Sequence, residues 1–254
     1  MYTSPKHGAP DMKALIIIPT YNEIKNIEAL LEAIFKEVPS VNILVIDDAS
    51  PDGTGQLIDR LIKEKYPDSL FVRHRPGKNG LGTAYIEGFQ WGLGKGYDVF
   101  IEMDADFSHN PAYLPQMLSL IEKHDCVIGS RYVAGGGVEN WGLIRRIISW
   151  GGSLYARLVL LTNVHDFTGG FNCFRRENLI AIKPKTILSK GYCFQIEMKF
   201  RHKLLGKEVY EMPIIFPDRV AGTSKMNSSI FKEAIFKVIK LSLMRHKIKS
   251  IMKG

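Results

Sequence analysis

What this chain has little of narrows its identity before any motif is read. Three cysteines occur in 254 residues, Cys126, Cys173 and Cys193, with no CxxC pair among them. They read as reduced thiols and point to a cytoplasmic protein. No window holds ~18 uncharged apolar residues. The nearest, Ile147 to Leu161, is interrupted by Gly151, Gly152 and Arg157, so no transmembrane helix is expected. No signal peptide, internal repeat or low-complexity tract is visible, and residues 1–12 read as a flexible N-terminal segment. A dinucleotide fingerprint is also missing: Gly80-x-Gly82 has Tyr85 where GxGxxG needs its last glycine. Acids are in short supply, 26 Asp and Glu against 34 Lys and Arg, a formal charge of +8. That excess favours anionic partners such as phosphorylated ligands or an acidic membrane surface. Nucleic acid is not expected, because the lysines are not interleaved with aromatics in a known binding motif.

What is present is an ordinary globular composition, 45% hydrophobic and 24% charged, in a length suited to one large domain with a small appendage. The first half alternates buried strands with helical periodicity. Strands are predicted at Lys13–Pro19, Val41–Ile46, Leu70–Arg73 and through Val99–Met103. Helices are predicted after Asn22, which could cap the first, after the Ser50–Thr54 turn, and over Ala84–Leu93. This spacing implies βαβ units and a mostly parallel sheet covered by helices. The second half is less regular. It reads as a helix over Leu114–Ile121, a short strand at Cys126–Gly129, a glycine loop at 135–137 and an apolar helix over Ile144–Leu161. A strand beginning at Thr168, an amphipathic helix over Tyr192–Leu205, a strand over Val209–Ile215 and one last helix from Ser229 follow.

The chain is organised around residues 97–109, YDVFIEMDADFSH. An apolar strand ends in Asp104-Ala105-Asp106. Side chains two apart in an extended chain share a face, so both carboxylates aim at one spot past the strand end. Ligands bind at that edge of α/β sheets. Two adjacent carboxylates call for a cation, and hard oxygen ligands suit Mg²⁺ or Mn²⁺, which in turn holds phosphate. Acids follow two other predicted strands, Glu23 after the first and Asp47-Asp48 after the second. Converging on one edge, they are placed to bind a base, a ribose and a metal. Arg131, Arg145, Arg146, Arg219 and Lys225 fall in predicted loops or helix ends and could form a phosphate clamp. Taken singly, each of these cations is an ordinary solvated charge.

The segments IPTYNE (18–23), VIDDASPDGT (45–54), GLGTAYIEGF (80–89), MDADFSHNP (103–111), IGSRYVAGG (128–136) and FPDRVAGTSK (216–225) together resemble the dolichyl-phosphate (polyprenyl-phosphate) mannosyltransferases. The resemblance runs from about residue 13 to 245. It implies a GT-A, Rossmann-like glycosyltransferase catalytic domain over 13–226 and a basic amphipathic C-terminal helix over 227–254. It also implies transfer of mannose from GDP-mannose to dolichyl or polyprenyl phosphate with inversion. By motif, Pro19, Tyr21, Glu23, Ile46 and Asp48 would hold the guanosine. Asp104, Ala105 and Asp106 would hold metal and pyrophosphate, while Arg131, Arg219 and Lys225 would contact donor or acceptor phosphate. Arg145 and Arg146 join Arg131 as candidates for the acceptor phosphate. Family members often carry Gln where this chain has Ser108, so Ser108 is a shorter candidate ligand that a water would have to extend.

A polyprenyl acceptor requires contact with a bilayer. The helix around Ile144–Leu161, flanked by Trp141 and carrying Trp150 and Arg145/Arg146, has the composition of an interfacial helix, and the basic C-terminal end adds electrostatic attachment. The expected location is peripheral, on the cytoplasmic face of a membrane, with a membrane-anchoring partner subunit left open. Two alternatives stand beside this reading: the same reaction with UDP-glucose, and a non-catalytic nucleotide-sugar-binding subunit. A processive polysaccharide synthase is disfavoured by the absence of QxxRW and membrane spans. A sugar nucleotidyltransferase is disfavoured by TYNE where a glycine-rich loop would follow the first strand.

Overall fold

The computed structural model describes residues 12–189, 191–218 and 228–253. In the first half the elements are β1 (Ala14–Thr20), α1 (Ile27–Glu37), β2 (Asn42–Asp47), α2 (Thr54–Glu64), β3 (Leu70–His74), α3 (Leu81–Gly94), β4 (Val99–Glu102), α4 (Leu114–Ile121) and β5 (Cys126–Ser130). The second half adds β6 (Gly137–Val138), α5 (Leu143–Leu160), β7 (Asn172–Arg175), α6 (Arg176–Ile182), α7 (Tyr192–Leu204), β8 (Tyr210–Pro213), β9 (Ile215–Phe216), α8 (Ser228–Leu243) and α9 (Arg245–Lys253). The main sheet has the order β3-β2-β1-β4-β7-β5-β8, and β6 pairs with β9 in a small second sheet. β3, β2, β1 and β4 are parallel, β7 runs antiparallel between β4 and β5, and β8 is parallel to β5. This is the α/β, mostly parallel architecture expected from the alternation of strand and helix.

The continuous apolar runs are explained by burial on both faces. Ile16 and Ile18 join one core with Ile27, Leu30, Ile34 and Leu114, while Leu15 and Ile17 join a second with Tyr85, Phe89 and Phe100. Strands covered on both sides lose the polar alternation of a half-exposed sheet. The second core is closed by α3, which comes unusually near the sheet. A Cβ on Gly92 would stand 2.5 Å from Phe100 Cε1 and 2.6 Å from Leu15 Cδ2, so only glycine permits that approach.

The structure corrects several expectations. Asn22 does not cap a helix; it sits at φ +63° in a turn, and α1 starts later, at Ile27. The strand expected from Thr168 begins at Asn172, because residues 166–169 are held in a turn by Arg131 and Lys199. The glycine loop contributes β6, and Val209–Ile215 divides into β8 and β9. α7 is not amphipathic: every residue from Cys193 to His202 is buried, its charged side chains finding partners inside the protein. The single C-terminal helix is two, α8 and α9. Among the described residues no helix is long and apolar enough to cross a membrane. Arg219, Lys225 and residues 1–11 lie outside the described residues.

Candidate active site

Three parallel strands, β1, β2 and β4, deliver their carboxyl ends to one edge, and their loops are tied together before any ligand arrives. Asp47, at the end of β2, accepts from Thr20 Oγ1 (2.9 Å) and from the backbone N–H of Ser50 (3.1 Å), and Ser50 Oγ accepts from the N–H of Asn22 (3.1 Å). Asp52 accepts from the N–H of Ile24 (3.1 Å) and from Thr54 Oγ1 (2.6 Å), and Thr54 Oγ1 accepts from the N–H of Glu23 (3.0 Å). The acids at Asp47 and Asp52 are therefore staples. Asp48 is different: its carboxylate receives Arg75 Nη1 at 2.6 Å. Burial lifts the Asp48 carboxyl above its ordinary value against the opposing pull of Arg75. Arg75 follows β3 and also donates to Thr83 Oγ1, so it links three loops at this edge. Lys78 lies 4.1 Å from the centre of the Tyr21 ring, a cation–π contact on the same side.

The Asp104–Asp106 turn is built with comparable care. The N–H of Asp104 donates to His109 Nδ1 (2.9 Å), which fixes the His109 tautomer with its proton on Nε2. The His109 ring is buried and stacked on Phe171 at 4.9 Å. Burial lowers its pKa and keeps it neutral. Tyr85 Oη donates to Asp104 Oδ1 at 3.3 Å. Ser108 donates both its N–H (3.1 Å) and its hydroxyl (2.6 Å) to Asp106 Oδ1. The Ser108 hydroxyl thus orients Asp106, and Ser108 is only 2% exposed. Three non-glycine residues in the left-handed region stand just past these strands, Asn22 (φ +63°), Ala49 (+53°) and Phe107 (+61°). Each costs ~1 kcal/mol or more, and strain gathered at one edge marks a functional site.

The opposite wall comes from the second half. Arg131 forms a fork with buried Asp166, Nε to Oδ2 and Nη2 to Oδ1 at 2.7 Å each, and Nη2 also donates to Thr168 Oγ1. Burial would raise the Asp166 carboxyl, but the Arg131 guanidinium outweighs it and holds it at about 2. Around Arg131 stand Tyr132, Trp141 and Phe216, with ring centres 5.1, 5.6 and 5.4 Å away. Arg145 packs on Trp141 at 3.9 Å and pairs with Asp218, while Arg146 is exposed on α5. Behind this wall Lys199 donates to the carbonyls of Asp166 (2.9 Å) and Gly169 (2.7 Å), its pKa brought by burial to about 8.

Of the residues singled out from sequence, Tyr21, Glu23, Asp48, Asp104, Asp106 and Arg131 are brought to this edge, with Pro19 half-buried at the end of β1. Ile46 is fully buried in the core, so only its backbone faces the edge, and Ala105 is likewise buried between the two acids. Sequence reasoning missed Arg75, Tyr85, His109, Asp166 and Lys199. Tyr85 and His109 stand inside two of the motifs, GLGTAYIEGF and MDADFSHNP. Arg75, Asp166 and Lys199 lie far from their partners along the chain, and no local spacing reports them.

A mostly parallel sheet with paired carboxylates past β4 and a cationic, aromatic wall opposite defines a GT-A-type transferase. Residues 15–182 match the model of the family described as Glycosyl transferase family 2, and the chain belongs to that family. It is 49% identical over 232 residues to an undecaprenyl-phosphate mannosyltransferase of Micrococcus luteus, covering 91% of this chain and 95% of the relative. It is 46% identical over 235 residues to a polyprenol monophosphomannose synthase of Mycolicibacterium smegmatis, covering 92% and 88%. Among solved structures the fold resembles glucosyl-3-phosphoglycerate synthase from Mycobacterium tuberculosis in complex with Mn²⁺, UDP and glucosyl-3-phosphoglycerate. That match has a TM-score of 0.64 at 16% identity and covers 96% of this chain and 85% of that one. It also resembles a mannosyltransferase from Pyrobaculum calidifontis in complex with GDP-Man and Mn²⁺, with a TM-score of 0.57, 16% identity and coverage of 98% and 76%.

Proposed function

We propose that this glycosyltransferase moves mannose from GDP-mannose to a polyprenyl phosphate at a membrane surface, giving a polyprenyl β-mannosyl phosphate. The observation that carries the reading is the Asp104–Asp106 turn, built by Tyr85, Ser108 and His109 on the edge that also holds Tyr21, Glu23 and Asp48. The names of the Micrococcus and Mycolicibacterium relatives support the mannosyl donor and the polyprenyl acceptor. Tyr21, Glu23 and Asp48, with Pro19 and the backbone at Ile46, would receive the nucleoside. Asp104 and Asp106 form a hard, anionic oxygen donor set that fits Mg²⁺ or Mn²⁺ and would hold such a cation beside the diphosphate. When bound, such a cation would neutralise charge on the leaving diphosphate.

The chain's own part is positioning and screening. A phosphomonoester has a second pKa near 6 and is largely dianionic at neutral pH, so the acceptor needs no protein base. Its oxygen attacks the anomeric carbon, the bond from that carbon to the GDP oxygen breaks, and the electron pair leaves with GDP. Two phosphate groups must meet, and Arg131, Arg145 and Arg146, together with Arg219 and Lys225, supply the positive charge that permits it. Arg131 is immobilised by Asp166 and Thr168, so its field is fixed before substrate binds. The exposed apolar row on α5, Leu143, Ile144, Ile147 and Trp150, begins beside Trp141 and Arg145. It is placed to lie in the interface from which a prenyl chain enters.

The test is transfer by purified protein with Mn²⁺ or Mg²⁺, a short polyprenyl phosphate in detergent, and labelled GDP-mannose and UDP-glucose in parallel. The expected result is mannolipid from GDP-mannose alone, lost with EDTA. Glucolipid instead would replace the donor. Nucleotide-sugar binding with no transfer to any prenyl phosphate would reduce the protein to a binding subunit.

A further inference from the structure

A second cationic feature lies away from the candidate active site. Between the carboxyl-terminal ends of α5 and α7 and the start of α9 there is a cavity of about 600 Å³. Arg157, Lys203 and Arg245 line it beside Phe200, Leu158 and Leu161, and no carboxylate does. Among the described residues none of the three cations forms an ion pair. Arg245 is held by a hydrogen bond to the carbonyl of Leu160 (2.6 Å) and by the Phe200 ring at 5.4 Å. Three cations on one concave surface, with no carboxylate among its lining residues, fit an anion with several acceptor oxygens.

The setting of the cavity says which anion. Residues 144, 147, 151, 154, 158 and 161 follow one another at steps of three and four, so they share one face of α5 and its end. Ile144, Ile147, Leu158 and Leu161 on that face are exposed, Leu161 by 78%. α8 packs on α5, with Tyr155 Oη donating to the carbonyl of Ile235 and Ser242 Oγ to that of Val159. It adds exposed Phe236, Ile239 and Leu243. Exposed apolar side chains therefore stand at both ends of this face, one beside the candidate active site and one at the cavity, with half-buried Gly151 and Leu154 between them, over a helix length of about 27 Å for 18 residues. Exposed leucines on the rim of a basic cavity match the boundary between acyl chain and headgroup.

We propose that this cavity binds the phosphate-bearing headgroup of an anionic bilayer lipid, and so anchors the end of α5 remote from the active site. The site holds the protein in one orientation on the membrane and takes no part in sugar transfer. The proposal rests on the membrane-surface part of the proposed function, and the test separates the two.

The test is flotation with vesicles of phosphatidylcholine alone and of phosphatidylcholine with phosphatidylglycerol. It compares the wild type, Arg157→Gln/Lys203→Gln, Lys203→Gln alone, and Lys247→Gln/Lys249→Gln, which removes equal charge from exposed positions on α9 outside the cavity. With ~1 kcal/mol for each basic residue at the surface, the α9 pair is expected to lose up to about thirtyfold in binding to anionic vesicles. The cavity pair is expected to lose at least about fivefold more, with Lys203→Gln between, and transfer to a short acceptor in detergent is expected to stay at the wild-type rate. Equal losses from both pairs would overturn the proposal in favour of diffuse attraction. Abolition of the difference by millimolar inorganic phosphate would overturn it in favour of a free-phosphate site, and loss of detergent transfer would assign the cavity to the reaction. Failure of the wild type to float with neutral vesicles carrying polyprenyl phosphate would count against the proposed acceptor and leave the headgroup comparison standing.

Discussion

The two halves of this sheet handle charge in opposite ways. From β1 to β4 the interior is apolar but for Glu102 on β4, a fully buried carboxyl that burial raises to about 8 and that accepts from Asn172; the other acids are sent to the strand ends, where Asp47 and Asp52 knit loops and Asp104 and Asp106 face the site. From β5 onward charge is taken inside. Asp166, Glu197, Lys199 and Arg201 are each fully buried. Glu197 accepts from the N–H groups of Leu188 and Ser189 and from Arg201, and Arg201 donates to Ile182 and Thr186. The difference follows from the backbone available. Four parallel strands set the first side largely by register. The second side is made of turns around short strands, and buried ion pairs do the positioning that a ladder of hydrogen bonds does elsewhere. Such pairs are weak evidence of net stability but costly to break.

That contrast is broken hardest by removing charge on each side in turn. Asp106→Asn is expected to lower turnover about a thousandfold, the scale of deleting one preorganised electrostatic contact, with the melting temperature nearly unchanged. Near-normal turnover would remove the Asp104–Asp106 turn from the chemistry. Asp166→Asn is expected to do the reverse in stability. It leaves Arg131 buried without its counter-charge, costs ~3–5 kcal/mol, and lowers the melting temperature by roughly 10 °C. A stability close to wild type would show that Thr168 and solvent suffice for Arg131.

The same contrast explains what could be read from sequence. β1 to β4, and the two acids past β4, were legible because periodicity and strand-end position are local signals. Glu23 and Asp48 follow from their place after strands, and Tyr21 from the motif resemblance alone. Arg75 was not legible, since its partner Asp48 is 27 residues away. Nor was the buried character of α7, whose apolar residues alternate with Glu197, Lys199 and Arg201 at every second position, so that neither helical face is apolar throughout. Only the fold brings Lys199 to the carbonyls of 166–169 and Arg201 to those of Ile182 and Thr186. The strand expected from Thr168 failed for the same reason, because a buried lysine holds that turn.

Acid sharpens the comparison without mutation. Asp166 is held at about 2 in the fold, so its contribution is complete above about pH 4 and disappears as pH falls toward 2. His202 works in the same direction. Burial brings it to about 4, its Nδ1 donates to the carbonyl of Met198, and its ring stacks on Phe174 at 5.1 Å. The folded state holds it neutral, so stability is complete above its ordinary value of 6.5 and falls as pH drops toward 4. At 1.36 kcal/mol per pKa unit, the two together amount to about 6 kcal/mol. Urea midpoints are expected to fall between pH 7 and 3, with His202→Phe flattening the upper part of the decline. An unchanged slope in that variant would assign the acid lability elsewhere.

The smallest effect is expected where charge stays outside. Lys65 and Glu32 pair between α2 and α1 with side chains 45% and 51% exposed. Water already solvates both, and ordering two long side chains offsets most of the attraction, so exposed pairs are worth ~0.5 kcal/mol or less. Glu32→Gln is expected to move the melting temperature by under about 2 °C, and less still at high salt, where screening removes what attraction remains. Set beside Asp166→Asn, this substitution changes one carboxylate in each case and differs only in burial. A shift as large as that of Asp166→Asn would mean that net charge, at +8, governs stability more than the location of each ion. A small shift leaves burial as the variable that separates the two halves.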